Sequence, residues 1–189
     1  MKSLLAILGL CLLPLAAQAQ IDVGVGTSFS AFLDENGTLD NLEAFAGTAS
    51  FELSLNDSGD DYLGVGLPIA ADQDELIWSF FADYRRRIAK SDGFVNAGFQ
   101  MTFVPKDVLD GYFDENRVAE EDRGTVIFAG PKLSLWFAVP MGSSGEEERY
   151  LPVEVSGFMG WEFAGIPDDV ESKPKILGFS ATFPNDILE

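Results

Sequence analysis

Gly93-Phe94-Val95-Asn96-Ala97-Gly98-Phe99-Gln100-Met101-Thr102-Phe103-Val104 is the stretch that decides the fold. Read at a period of two, Val95, Ala97, Phe99, Met101 and Phe103 fall on one face. Asn96, Gly98, Gln100 and Thr102 fall on the other. Such alternation marks a β-strand, because successive side chains in a strand point to opposite sides. The second face holds the information. A strand that packs its large face on a core turns Lys, Glu and Thr toward water. Here the face opposite the large apolar one is small and uncharged.

The same two-faced pattern recurs on both sides of that stretch and predicts eight strands, at 21–33, 43–55, 62–69, 75–88, 93–104, within 125–140, 150–164 and 175–183. In 21–33, Val23, Val25 and Phe29 oppose Gly24, Gly26, Ser28 and Ser30. In 175–183, Leu177, Phe179, Ala181 and Phe183 oppose Gly178, Ser180 and Thr182. Strand 75–88 is the least clean, with Ile77 and Phe81 on the same face as Ser79, Asp83 and Arg85. Pro131 predicts a bulge or a late start in the sixth strand, because proline has no ladder donor. The connections are acidic and rich in turn residues, and the longest is 105–124. If the first strand runs outward, the loops after the first, third, fifth and seventh strands lie outside, the longest among them.

The N-terminus reads as a targeting segment. Lys2 precedes the apolar run 4–15, and Ala17-Gln18-Ala19 fits a small-x-small cleavage site, so residues 1–19 are expected to be a signal peptide and Gln20 the mature start. Cys11 sits too early in the run for a lipoprotein signal. It is the only cysteine, so the remaining single domain, 20–189, carries no thiol chemistry. The run is too short for a helical span, and no later stretch is long enough.

Asp and Glu number 31 against 12 Lys and Arg, a formal net charge of −19. That balance repels nucleic acid. Histidine is absent, which removes the usual Ser-His-Asp hydrolase and the usual zinc site. No phosphate-cradling glycine loop stands out, and no cofactor is expected.

The size of the two faces separates a lipid-facing barrel from a soluble one. Gly, Ser and Ala make a poor solvent face but a sensible lumen for eight strands, which leave little room inside. The large apolar face would then meet lipid, and closure would satisfy every backbone group. Trp78, Tyr84, Phe103, Trp161 and Phe163 lie toward strand ends on that face, as interfacial girdles do. With its leader, its eight alternating segments and its last strand, the chain resembles the small outer-membrane β-barrel proteins of the OmpA/OmpX type. The resemblance implies a non-enzymatic, eight-stranded antiparallel up-and-down transmembrane barrel in the cell outer membrane. It implies outer-membrane lipid as surroundings, and an assembly machinery that reads Gly178, Ala181 and Phe183. The role implied is structural, or surface interaction through acidic outer loops. In that group the chain commonly ends at the aromatic, whereas here Pro184-Asn185-Asp186-Ile187-Leu188-Glu189 follow. Two other readings use the same strands. One is a soluble periplasmic β-barrel or sandwich, large face inward, binding an apolar ligand. The other is an envelope enzyme using paired carboxylates such as Glu154 and Glu162.

Several residues are candidates for sites. Glu52, Asp83, Arg85, Lys132, Glu154 and Glu162 fall on the small face and would form a polar network plugging the lumen, since charges in a narrow interior must pair. Arg85-Arg86-Arg87 is the only basic cluster and could touch lipid headgroups. Asp34, Asn36, Asp40 and Glu43 partly match a calcium loop, with Phe32 in the first ligand position, where it cannot coordinate. Asn36-Gly37 is equally a plain hairpin turn. The acidic loop 107–122 could collect divalent cations.

Overall fold

The computed structural model describes residues 19–33, 39–55, 60–72, 75–89, 93–144, 147–171 and 173–184. The leader 1–18 and the tail 185–189 lie outside the described residues. Eight strands follow one another: β1 (Ala19–Leu33), β2 (Leu39–Ser54), β3 (Asp61–Asp72), β4 (Glu75–Arg87), β5 (Phe94–Val104), β6 (Val126–Ser144), β7 (Glu147–Ala164) and β8 (Lys175–Pro184). Each is antiparallel to the next, and β8 returns to β1 through pairs from Leu33 with Lys175 to Gly24 with Pro184. The chain is an eight-stranded up-and-down barrel with a closed ladder.

Phase along the strands is as the alternation requires. Val25, Phe51, Phe99 and Phe179 stand on the outside, 48%, 40%, 51% and 56% exposed. Glu52, Asp83, Asn96, Lys132, Ser134 and Thr182 are buried inside. The soluble alternative needs those large groups in a dry centre, and their exposure rules that packing out.

Strand lengths differ from the sequence reading in three places. β3 is a full strand reaching Asp72, although 62–69 looked short. β2 begins at Leu39, inside the stretch read as a loop. β6 runs on to Ser144, past its expected limit at 140, and β7 starts at Glu147. The reason is that β5 pairs with β6 only as far as Trp136, so beyond it β6 is an edge strand, where proline is tolerated. Pro131 marks no late start. The one bulge near it lies between Ile127 and Phe128, and the β6–β7 register is the same before and after Pro131.

Two ends can be told apart. At the hairpin end lie the short connections after β2, β4 and β6 and both strand termini. At the loop end, residues 105–125 fold rather than trail. A 3-10 turn (Lys106–Leu109), helix α1 (Asp110–Glu115) and a second 3-10 turn (Glu120–Asp122) form a cap. The sequence showed no helical stripe there because α1 has only six residues. Leu109, Phe113 and Val118 of the cap are buried together with Ile166 of the β7–β8 loop. They pack on Ile77, Val104, Val126, Phe128, Phe158 and Ile176 from the strands. This overturns part of the expected lumen. Charged and polar groups hold the middle only toward the hairpin end, and toward the loop end it is a hydrocarbon core.

Candidate functional site

Neighbouring strands set large and small residues side by side around the interior. One ring of paired positions reads Glu52, Gly64, Asp83, Gly98, Lys132, Phe158 and Gly178. Except where Lys132 stands beside Phe158, large and small side chains alternate, which is how a narrow barrel fills its bore. The glycines make the room. A Cβ on Gly64 would meet Asp83 Oδ1 at 2.5 Å, and one on Gly98 would meet Asp83 Cβ at 2.4 Å.

Two ion clusters occupy that space. Arg85 of β4 grips Glu52 of β2 with both arms of its guanidinium, Nη2 to Oε1 at 2.5 Å and Nη1 to Oε2 at 2.8 Å. A planar fork on a planar carboxylate is the strong, oriented form of this pair. Arg85 Nε also donates to Asn96 Oδ1 at 3.2 Å. In the second cluster Lys132 Nζ lies 3.4 Å from Asp83 and 3.5 Å from Glu154, with the Phe81 ring centre 3.5 Å away. Asn96 Nδ2 donates to Glu154 at 3.5 Å and links the two clusters. Five of the six expected lumen charges are therefore brought together. Charges this deep are tolerable because each faces a partner. Ser134 Oγ is the one fully buried side-chain oxygen left without a partner among the described residues.

Glu162 is not in the network. It sits at the loop end, where its Oε1 accepts the Ile166 backbone N–H at 3.4 Å. Eight residues of one strand separate it from Glu154, about 27 Å at strand rise. That spacing cannot serve a catalytic carboxylate pair, which works within about 10 Å. The basic cluster also splits. Arg85 is inside, and Arg87 turns to the mouth, 3.2 Å from Asp60 and over the Phe94 ring at 5.3 Å. Arg86 alone stays on the outer surface, 3.8 Å from Asp61, whose carboxylate also accepts the Tyr84 hydroxyl. A three-arginine headgroup contact is thus reduced to one residue. Asp34 and Asn36 lie outside the described residues, and Asp40 and Glu43 fall in the β1–β2 ladder opposite Phe32 and Phe29.

In the acidic loop, Arg123 gathers Asp114 at 2.6 Å, Glu120 at 3.6 Å and Asp110 at 3.7 Å. The hydrogen bond to Asp114 holds the guanidinium above its usual range. Lys106 donates to Glu120 at 3.2 Å, and that bond raises the lysine above its ordinary value. The loop meets its own cations first. Among the described residues no three acidic side chains converge as a metal site would require.

Sequence reasoning missed the hairpin-end closure. Tyr62 and Trp136 meet Phe94 edge-on, with centroids 5.8 and 5.3 Å away, and Arg85 and Arg87 both lie against the same ring. Their phase was legible, since all three share the face of Gly64, Asn96 and Ser134. What hid them was the assumption that a lumen face holds only small groups. Between this floor and the cap lies a cavity of about 80 Å³ whose apolar lining comes from Pro68, Ala70, Ile77, Phe81, Phe158 and Ile176. Gln100, Thr102, Ser180 and Thr182 add polar groups to the lining, and Lys132 and Glu154 add charged ones.

No family model matches this chain, and no curated protein matches it. Among solved structures, the chain is similar to Ail, the attachment invasion locus protein of Yersinia pestis, crystallised with the heparin analogue sucrose octasulfate. The likeness covers 88% of this chain and 99% of that one, at 11% identity and a TM-score of 0.36.

Proposed function

We propose that this chain is a non-enzymatic barrel of the cell outer membrane, closed to solutes, that presents an acidic surface at its loop end. One observation carries the reading: a continuous outer face of large apolar side chains. Leu63, Val65, Leu67 and Ile69 on β3, Leu133 and Leu135 on β6, and Val155 and Met159 on β7 all stand exposed. So large an apolar surface would aggregate in water and is at home in hydrocarbon. Two further features fit. Trp78 and Phe103 stack at 3.9 Å near the loop end, where Trp161 and Phe163 are also exposed, as at a membrane interface. Closure leaves no sheet edge through the barrel wall.

The interior supports a plug rather than a pore. Paired ions and the Phe94 cluster fill one half, and packed hydrocarbon under the cap fills the other. The loop end then faces outward. Its acidic residues, Asp107, Asp110, Asp114, Glu120 and Glu121 among them, suit a basic partner and disfavour a sulfated sugar of the kind crystallised with Ail. Assembly would read the β8 residues Gly178, Ala181 and Phe183, and outer-membrane lipid would surround the wall.

Cell fractionation and planar bilayers test this. Extraction should need detergent, unheated protein should migrate differently from boiled protein on a gel, and bilayers should show no stable large conductance. Release by osmotic shock would overturn the membrane reading. A steady open channel would overturn the plug.

A further inference from the structure

The ladder of the barrel wall lapses at two prolines, Pro131 between β6 and β7 and Pro68 between β3 and β4, and only Pro68 lines the cavity. β3 pairs with β4 from Asp61 with Arg86 to Gly66 with Phe81, and again from Ile69 with Trp78 to Asp72 with Glu75. The two positions between, Leu67 and Pro68 opposite Phe80 and Ser79, form no ladder pairs. The register is unchanged across the gap, so this is no bulge. Proline has no N–H to give, and the seam loses its rungs at that point. Facing hydrocarbon, missing rungs are costly, and of the two such gaps in the wall this is the one whose unpaired proline lines the interior.

Pro68 itself lines the interior cavity, together with Ile77, Ser79 and Phe81 from the other side of the same seam. Phe81 is the inner leaf. It lies so close to the Gly66 backbone that a Cβ there would meet its ring at 2.5 Å. Outside the seam, Leu67, Ile69, Trp78 and Phe80 make the approach apolar. Both mouths of the barrel are covered, by Leu109, Phe113 and Val118 at the loop end and by Tyr62, Phe94 and Trp136 at the hairpin end.

We propose that the β3–β4 seam at Pro68 is a lateral entry through which the hydrocarbon end of a single-chain membrane amphiphile reaches the interior cavity. Resting on the membrane reading above, the inference names what that barrel would bind. Depth selects the tail, because what lies beside Leu67 and Ile69 in a bilayer is acyl chain. The cavity accepts a tail because much of its polar lining is already paired, Lys132 with Glu154 among it. Ser79 and Thr102 share a hydrogen bond at 3.0 Å, Gln100 donates to Thr102 at 3.1 Å, and Ser156 and Ser180 share one at 2.6 Å. An apolar guest leaves those groups satisfied, and Ala70, Ile77, Phe158 and Ile176 supply its contacts. The volume of about 80 Å³ suits the last few carbons of a chain rather than a whole lipid.

Photolabelling tests the entry. Palmitic acid carrying a diazirine at its last carbon is added to the full chain in phosphatidylcholine vesicles, irradiated, and the adducts are mapped by mass spectrometry. Adducts are expected on inward residues such as Ile77, Phe81 and Phe158, as well as on outward residues such as Phe80 and Phe179. Pro68→Ala restores the missing donor and should cut the inward adducts roughly tenfold, the change that one hydrogen bond of about 1.4 kcal/mol makes. Pro131→Ala, at the matching gap of the β6–β7 seam, should leave them unchanged, because neither Gly130 nor Pro131 lines the cavity. Unheated gel mobility checks that each variant is folded. Outward adducts without inward ones, or inward adducts indifferent to Pro68→Ala, would overturn the lateral entry and leave the membrane reading standing. Absence of adducts on the outward face would overturn the membrane reading itself.

Discussion

The two halves of the barrel interior solve the same problem in opposite ways. Toward the hairpin end the bore is filled by ions, with Arg85 on Glu52 and Lys132 between Asp83 and Glu154. Toward the loop end it is filled by hydrocarbon, with Phe113 and Leu109 of the cap lowered onto Phe128, Phe158 and Ile176. The ionic half is held by pairwise geometry and fails if one partner goes. The apolar half is held by area and fails by degrees. A barrel closed in both ways is rigid at one end and openable at the other, and a surface meant for partners is best placed over the openable end.

Removing Lys132 should expose this difference most. Lys132→Met leaves Asp83 and Glu154 facing each other in the bore with their shared cation gone. The loss should be about 3–5 kcal/mol, read as a fall in the urea midpoint of the barrel in vesicles. Adding Asp83→Asn and Glu154→Gln to Lys132→Met should recover most of it, because neutral groups have no charge to leave unpaired. A small effect of the single change would mean that the network is solvated, and the contrast between the halves would collapse.

Phe113→Ala attacks the other half. The ring is fully buried in the cap, and its loss should cost the cap about 3 kcal/mol. The readout differs in kind. Protease should cut within 105–124 much faster, while the urea midpoint of the barrel moves little. If the midpoint falls as far as for Lys132→Met, the cap and the wall are one cooperative unit and the two halves do not differ in the way drawn here.

Most of the wall was legible in the sequence, and half of the bore. Period-two alternation fixed which way Val25, Phe51, Phe99 and Phe179 point, because a strand leaves a side chain only two choices. It also placed Glu52, Asp83, Arg85, Lys132 and Glu154 together, since all share the inner face. Alternation gives no position along the axis, however, and that is where Glu162 was misplaced. Its phase is inward, yet its register sets it beside Phe128 and under the β7–β8 loop. Asn96, the link between the two ion clusters, was visible on the inner face but passed over because it carries no charge. The cap was hidden for another reason. Leu109, Phe113 and Val118 are spaced for burial by short turns of two kinds, and no single period runs through them.

Charge meets salt differently at the two ends. The ion pairs in the bore are shut away from salt, whereas Lys106 and Glu120 meet on the exposed side of the cap. Lys106 is raised by its hydrogen bond to Glu120, so it holds its proton more tightly when the cap is folded. The stabilisation from that contact is therefore complete below the ordinary lysine value of 10.5 and disappears as pH rises through the raised one. Cap opening, followed by amide hydrogen exchange at Phe113, should be flat from neutral pH up to that value after correction for the intrinsic exchange rate, and should quicken only beyond it. Glu120→Gln should abolish the alkaline step. High salt should weaken it in the parent protein, as it weakens any exposed pair, without changing exchange in the strands around Asp83. A salt response as large around Asp83 as at the cap would mean that water reaches both halves alike.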